Sequence, residues 1–205
     1  MPSKARKISI RKKIGMLQNN QTDIIIKAIN NILLSKPAVI AAIDGRCAAG
    51  KTTLASQLEE KISCNIIHMD DFFLRPFQRT PERLNTPGGN VDYERFISEV
   101  LIPLKTNSAF SYAPYNCHTK SMKEPITVTP KQVTVIEGSY SCHPELQKYY
   151  DLRIFLDIDK NAQFARIEKR NPADEAKRFR EIWIPLEEKY FSAFGIAEIC
   201  DIFLN

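Results

Sequence analysis

The stretch Val39-Ile40-Ala41-Ala42-Ile43-Asp44-Gly45-Arg46-Cys47-Ala48-Ala49-Gly50-Lys51-Thr52 decides how the rest of the chain is read. Its first five residues are a short apolar run of the kind a strand buried on both faces requires. From Lys51 to Ile62 the apolar spacing becomes helical. Between the two, Gly45 to Thr52 matches G-x-x-x-x-G-K-[ST] in the strand, loop, helix order that gives this motif its meaning. Gly45 and Gly50 let the backbone wrap closely around a phosphate. The amides of the loop, which runs through Arg46, Cys47, Ala48 and Ala49, then face phosphate oxygens together with the positive end of the helix. Lys51 adds a point charge that follows a transferring phosphoryl group, and the Thr52 hydroxyl is a hard oxygen suited to magnesium. Thr53 closes the nucleotide-binding segment as an ordinary helix residue.

Outward from this stretch, apolar residues from Thr22 to Leu34 recur at helical spacing until Pro37 forbids continuation. Further short apolar runs follow at Ile66 to Met69, Val133 to Ile136, Leu152 to Leu156 and Ile199 to Leu204. Helical patterns lie between them at Asp92 to Leu104, Asn161 to Lys169 and Asp174 to Phe191. This alternation predicts an α/β three-layer sandwich: a mainly parallel five-stranded sheet with helices on both faces. Each run but the last ends in an acid (Asp44, Asp70, Glu137, Asp157), so carboxylates gather at the strand ends where such sheets bind ligands. The polar stretch from 108 to 130, entered through Phe110, Tyr112 and Tyr115, reads as a β-hairpin flap.

With 205 residues and 43% hydrophobic composition the chain suits a single domain, 37–205, preceded by a tail and helix over 1–36. The net charge of +5 comes mainly from the run Lys4 to Lys13, which reads as a solvated tail; a nucleic-acid arm would need aromatic or recognition motifs that are missing. No apolar stretch approaches the ~20 residues of a membrane helix, and no leader pattern opens the chain, so a cytosolic protein with neither nucleic acid nor membrane as partner is expected. Five scattered cysteines suggest neither a disulfide framework nor a zinc site.

Three features bear on what a bound nucleotide would be used for. Asp70, in Met69-Asp70-Asp71-Phe72-Phe73, follows the second strand, where a carboxylate can take a proton from an attacking hydroxyl. The bland alternative is a helix cap. Glu137, before Gly138, is placed to hold a magnesium-bound water, or else is a turn glutamate at the surface. Arg166, Arg170, Arg178 and Arg180 form a cluster over about 166–182 that could close as a lid; interleaved acids make a solvated helix face the alternative. Of these, Arg166 and Arg170 are expected to act on the transferring group and Arg178 on the nucleotide. His118 is a candidate for substrate contact. His143 reads as a surface group, and Phe179, Trp183, Tyr190 and Phe191 read as core.

Together, Ile43 to Thr52, His68-Met69-Asp70-Asp71-Phe72-Phe73, Asn90 to Phe96 and Ile136-Glu137-Gly138-Ser139-Tyr140 resemble the uridine kinase and phosphoribulokinase group, which includes pantothenate kinase. The resemblance runs from about Pro37 to the C-terminus. It implies ATP and Mg2+ as cofactors and Asp70 as catalytic base beside Lys51. Thr52 and Glu137, with Asp70, would serve the metal, and 166–182 would be the lid. Tyr115-Asn116-Cys117-His118 looks like the nucleoside-contacting segment, with Tyr115 in the aromatic position. The substrate implied is a small nucleoside-like molecule such as uridine or cytidine, with pantothenate-like or sugar-phosphate acceptors as alternatives, and a homo-oligomer is compatible with it. Four departures bear on substrate. Asn85 in Leu84-Asn85-Thr86-Pro87 stands where uridine kinases carry a ribose-binding aspartate, Gly88-Gly89 lengthens the loop, Asn116 replaces the aspartate after the tyrosine, and the lid is short and lacks Arg-Gly-Arg. A regulatory NTPase is the reading from another class, but no Asn-Lys-x-Asp segment for guanine occurs.

Overall fold

The computed structural model describes residues 20–205, so the basic run Lys4 to Lys13 lies outside the described residues. Helix α1 (20–33) ends before Pro37 and leads to strand β1 (Val39–Gly45), the phosphate-loop motif, helix α2 (Lys51–Lys61) and strand β2 (Cys64–His68). Two 3₁₀ turns (Met69–Phe72, Pro76–Gln78) precede α3 (Pro81–Asn85) and α4 (Tyr93–Phe96), which continues through a π-helical turn (Ile97–Leu101) into α5 (Ile102–Thr106). The strands β3 (Phe110–Tyr112), β4 (Tyr115–Asn116), β5 (Ser121–Met122) and β6 (Ile126–Val128) come next. Then follow β7 (Val133–Glu137), β8 (Leu152–Leu156), α6 (Lys160–Arg170), α7 (Ala173–Arg178), a second π turn (Phe179–Trp183), α8 (Ile184–Phe194), α9 (Ile196–Ile199) and β9 (Ile202–Leu204).

The central sheet has the order β2-β7-β1-β8-β9, and every pairing in it is parallel. The expected fold class therefore holds, with β1 at the centre. Ile43 pairs with Glu137 on one side and Ile154 on the other, so the end of β1 and the acid ending β7 share one sheet edge. Two apolar clusters fill the layers. Ile25 and Ile29 of α1 and Leu54 and Leu58 of α2 pack on one face; Phe72, Phe96, Phe155 and Tyr190 pack on the other. Tyr190 and Phe191 are core as expected, whereas Phe179 and Trp183 are only half-buried.

Several boundaries differ from the sequence pattern for local reasons. The last strand is Ile202–Leu204, because Ile196 to Ile199 turn once as α9 after Gly195 at φ 57°. Both long helical patterns contain a π turn just ahead of a proline, at Ile102-Pro103 and Ile184-Pro185. Proline has no N–H to donate and its ring would strike the carbonyl four residues back, so a wider turn lets the helix pass without a break. In the 108–130 stretch β3 pairs antiparallel with β6, and β4 pairs with β5, with Tyr115 opposite Met122.

His143 corrects the surface reading: it is 5% exposed and stacks on Tyr93 at 4.4 Å between ring centroids. Burial pushes its pKa down to about 4. The unfolded chain therefore binds this proton more readily than the folded one, so the neutral ring's contribution is complete above the unfolded pKa and fades as pH falls towards 4. His143→Phe, which keeps the stack, is expected to remove about 2 kcal/mol of the acid-induced loss of stability, read by urea unfolding at pH 7 and pH 4.5. Equal losses in both proteins would refute the assignment.

Candidate active site

At the carboxyl ends of the parallel strands a cleft of about 1140 Å³ opens over the loop between β1 and α2. Gly45 has φ 131°, and a Cβ there would lie 2.0 Å from the Leu156 carbonyl oxygen, so only glycine lets β1 turn this close to β8. Cys47, Ala48, Ala49, Gly50, Lys51, Thr52 and Thr53 line the cleft. Gly45 and Arg46 do not: the Arg46 guanidinium turns away to Asp157 at 2.7 Å and to Glu188 at 2.9 Å. Lys51 is 8% exposed and its ammonium donates to the Gly45 and Arg46 carbonyls at 2.6 and 3.0 Å, which folds the loop on itself. Beneath the loop, buried Asp44 accepts from the Gly45 and Cys142 amides and from the Tyr190 hydroxyl. Burial raises its pKa, and the neighbouring Lys51 charge works in the opposite direction.

Asp70 and Glu137 reach the same cleft from β2 and β7. Asp70 is open to water yet stands among protein walls; that enclosure raises its pKa to about 6, Lys51 lowers it, and the negative charges of Glu137 and Glu187 raise it further. Glu137 is buried, accepts from Thr52 Oγ1 at 3.2 Å and meets His68 Nδ1 at 2.5 Å. The Glu137 hydrogen bond raises the His68 pKa. Thr52 Oγ1, Glu137 and Asp70 all supply hard oxygens to this cleft, a set that fits a magnesium ion retaining waters and taking phosphate oxygens.

Three of the four arginines of the cluster line the cleft. Arg166 donates to the Ala48 and Ala49 carbonyls at 3.0 Å each, whereas Arg170 and Arg178 lie over Phe179 and Trp183 at 5.3 and 5.8 Å. Arg180 pairs instead with Glu168 at 2.8 Å. Phe179 and Trp183 belong to the cleft wall as platforms for these cations, which corrects their reading as core. Tyr115 and His118 line the cleft. Asn85 does not: it is exposed at the end of α3, with its carbonyl accepting from Lys189 at 2.6 Å. The placement of Asn85 among substrate residues is therefore corrected.

Two cleft residues were not singled out from sequence. Glu187 of α8 is buried and accepts from the Cys47 amide at 3.0 Å and from the Ser139 hydroxyl at 2.5 Å, so a carboxylate occupies an amide of the phosphate loop. The second is Asn90, which is 7% exposed and lines the cleft. Glu187 belongs to no motif, and its contact spans 140 residues of chain; Asn90 opens the Asn90 to Phe96 stretch, where it carried no assigned role.

Comparison with known proteins bears out the resemblance. Residues 89–182 match the model of the phosphoribulokinase / uridine kinase family. The chain is 27% identical over 163 residues to the uridine kinase of Shewanella pealeana, covering 72% of this chain and 76% of that one. It is 24% identical to uridine-cytidine kinase B of Dictyostelium discoideum, over 80% and 71% of the two chains. Among solved structures, the possible uridine kinase from Bacillus stearothermophilus superposes with a TM-score of 0.68 at 22% identity, covering 91% of this chain and 98% of that one. The fold is thus that of the P-loop kinases. No helix among the described residues is long and apolar enough to cross a membrane.

Proposed function

We propose, taking the likeness to the phosphoribulokinase / uridine kinase family as the premise, that this chain transfers the γ-phosphoryl group of ATP to a hydroxyl of a nucleoside such as uridine or cytidine. The observation that carries the reading is one cleft lined both by the phosphate loop and by Asp70, its pKa raised to about 6. A carboxylate tuned upwards but still ionised near neutrality is suited to receive the acceptor's proton. Lys51 moves from the loop carbonyls to the transferring phosphoryl oxygens, and the loop amides hold the phosphates. Glu187 leaves the Cys47 amide when phosphate arrives, since both cannot accept from it. Bound through Thr52 and Glu137, magnesium would neutralise charge on the phosphates. Arg166, Arg170 and Arg178 close over the equatorial oxygens and exclude water, with Tyr115 and His118 bordering the acceptor.

The test is a screen of the purified protein with ATP and magnesium against uridine, cytidine, pantothenate and pentose phosphates, following ADP release. ADP release that depends on a nucleoside supports the reading; release with no acceptor, or only with pantothenate or a pentose phosphate, replaces it. Within the lid, Arg166→Ala and Arg178→Ala are each expected to lower turnover about tenfold or more, whereas Arg180→Ala, outside the cleft, leaves it unchanged. Unchanged turnover in both of the first two variants would remove the lid role.

A further inference from the structure

We infer that Asn90 is the residue that reads the acceptor, through a donor-and-acceptor pair on the acceptor matched to its side-chain amide. The inference rests on the kinase reading above and gives a role to a residue that stands in the Asn90 to Phe96 stretch without one.

The backbone around Asn90 is fixed on every side. Its carbonyl accepts from the Leu74 amide at 3.3 Å, and the Asp92 amide donates to the Phe72 carbonyl at 2.7 Å. The segment is thereby tied to the turn that carries Asp70. The Arg83 guanidinium donates to the carbonyls of both neighbours, Gly89 at 3.0 Å and Val91 at 2.9 Å. A Cβ at residue 89 would lie 1.9 Å from the Arg83 carbonyl oxygen, so the extra Gly88-Gly89 turn is a packed feature that sets where residue 90 points. Against this order, the Asn90 side chain makes no hydrogen bond: Oδ1 is enclosed without a partner while the residue lines the cleft, so a rotation of the side-chain amide brings both its donor and its acceptor to a ligand there. An amide carries two donors and an acceptor, and leaving it unpaired inside a protein is unfavourable. An unpaired amide on a held backbone, in the lining of the cleft that Asp70 and Tyr115 also line, is a group awaiting a ligand.

A nucleoside offers a matching pair from two sources, the vicinal ribose hydroxyls or the amide edge of the base. The test compares wild type with Asn90→Leu, of nearly the same size, and Asn90→Ala, using uridine, 2′-deoxyuridine and cytidine. In both variants the KM for uridine is expected to rise about tenfold or more with kcat and the KM for ATP little changed. If the sugar is read, the preference for uridine over 2′-deoxyuridine collapses; if the base is read, the preference between uridine and cytidine does. Unchanged KM values and preferences would overturn the inference. Thermal stability is the readout that does not depend on the acceptor. Removing an unpaired buried amide should leave Tm of Asn90→Leu equal to or a few degrees above wild type. A clear fall would mean the amide has a structural partner and would also overturn the inference. If wild type phosphorylates no nucleoside, the nucleoside reading falls, and the Tm comparison still decides whether Asn90 is built for a ligand.

Discussion

Asp70→Asn is expected to lower turnover by about two orders of magnitude or more while leaving ATP affinity nearly intact. Asparagine keeps the shape of the side chain and removes its ability to accept a proton. The substitution also takes away a negative charge that stands near Glu137 and Glu187 and that enclosure already disfavours. The fold should therefore gain, if anything, in stability, so a loss of turnover cannot be traced to unfolding. Steady-state ADP release in the presence of uridine gives the first quantity, and direct titration with ATP and magnesium gives the second. Turnover within a few-fold of wild type would take Asp70 out of the base role. An equal loss of ATP affinity would instead make it chiefly a ligand of the magnesium nucleotide.

What could be read from sequence was what depends on residues close together in the chain. The phosphate loop is eight consecutive residues, Gly45 to Thr52, whose glycines, lysine and hydroxyl each answer to one geometric need. The parallel sheet follows from short apolar runs alternating with helical spacing, and an acid at a strand end falls at the sheet edge whatever the loops do. Asp70 and Glu137 were visible for that reason. Asn85 and Asn90 show where such reading stops. They are five residues apart, both amides, and only Asn90 lines the cleft; between them Gly89 packs against the Arg83 carbonyl, a contact that no local pattern encodes. Glu187 and His68 are reached only through partners 140 and 69 residues away. The prolines at 103 and 185 lie inside helical patterns that were read straight through them; what the spacing did not show is the π turn by which each helix passes its proline. Trp183 and Phe179 have helical spacing that fits a core equally well; only the arginines beside them decide for the cleft wall.

Lys51→Met is expected to differ from Asp70→Asn by damaging binding and chemistry together, with turnover down by about two to three orders of magnitude and ATP affinity weakened as well. The lysine charge meets the phosphates in the ground state and follows them through the transition state, so its loss is felt in both. In the protein without nucleotide the ammonium is not idle: it closes the loop through the Gly45 and Arg46 carbonyls and is the cation that offsets buried Asp44. Methionine fills much the same space without charge. It should therefore push the Asp44 pKa still higher and make stability more sensitive to rising pH, because a carboxyl favoured in its protonated form in the fold costs more to ionise there. Titrating ATP affinity, turnover and Tm between pH 6 and 8 separates the two roles. A variant with weakened binding and turnover but an unchanged dependence of Tm on pH would show that Asp44 is held by its three hydrogen bonds alone. A variant with normal ATP affinity and turnover would break the link between this loop and phosphoryl transfer, on which the proposed activity depends.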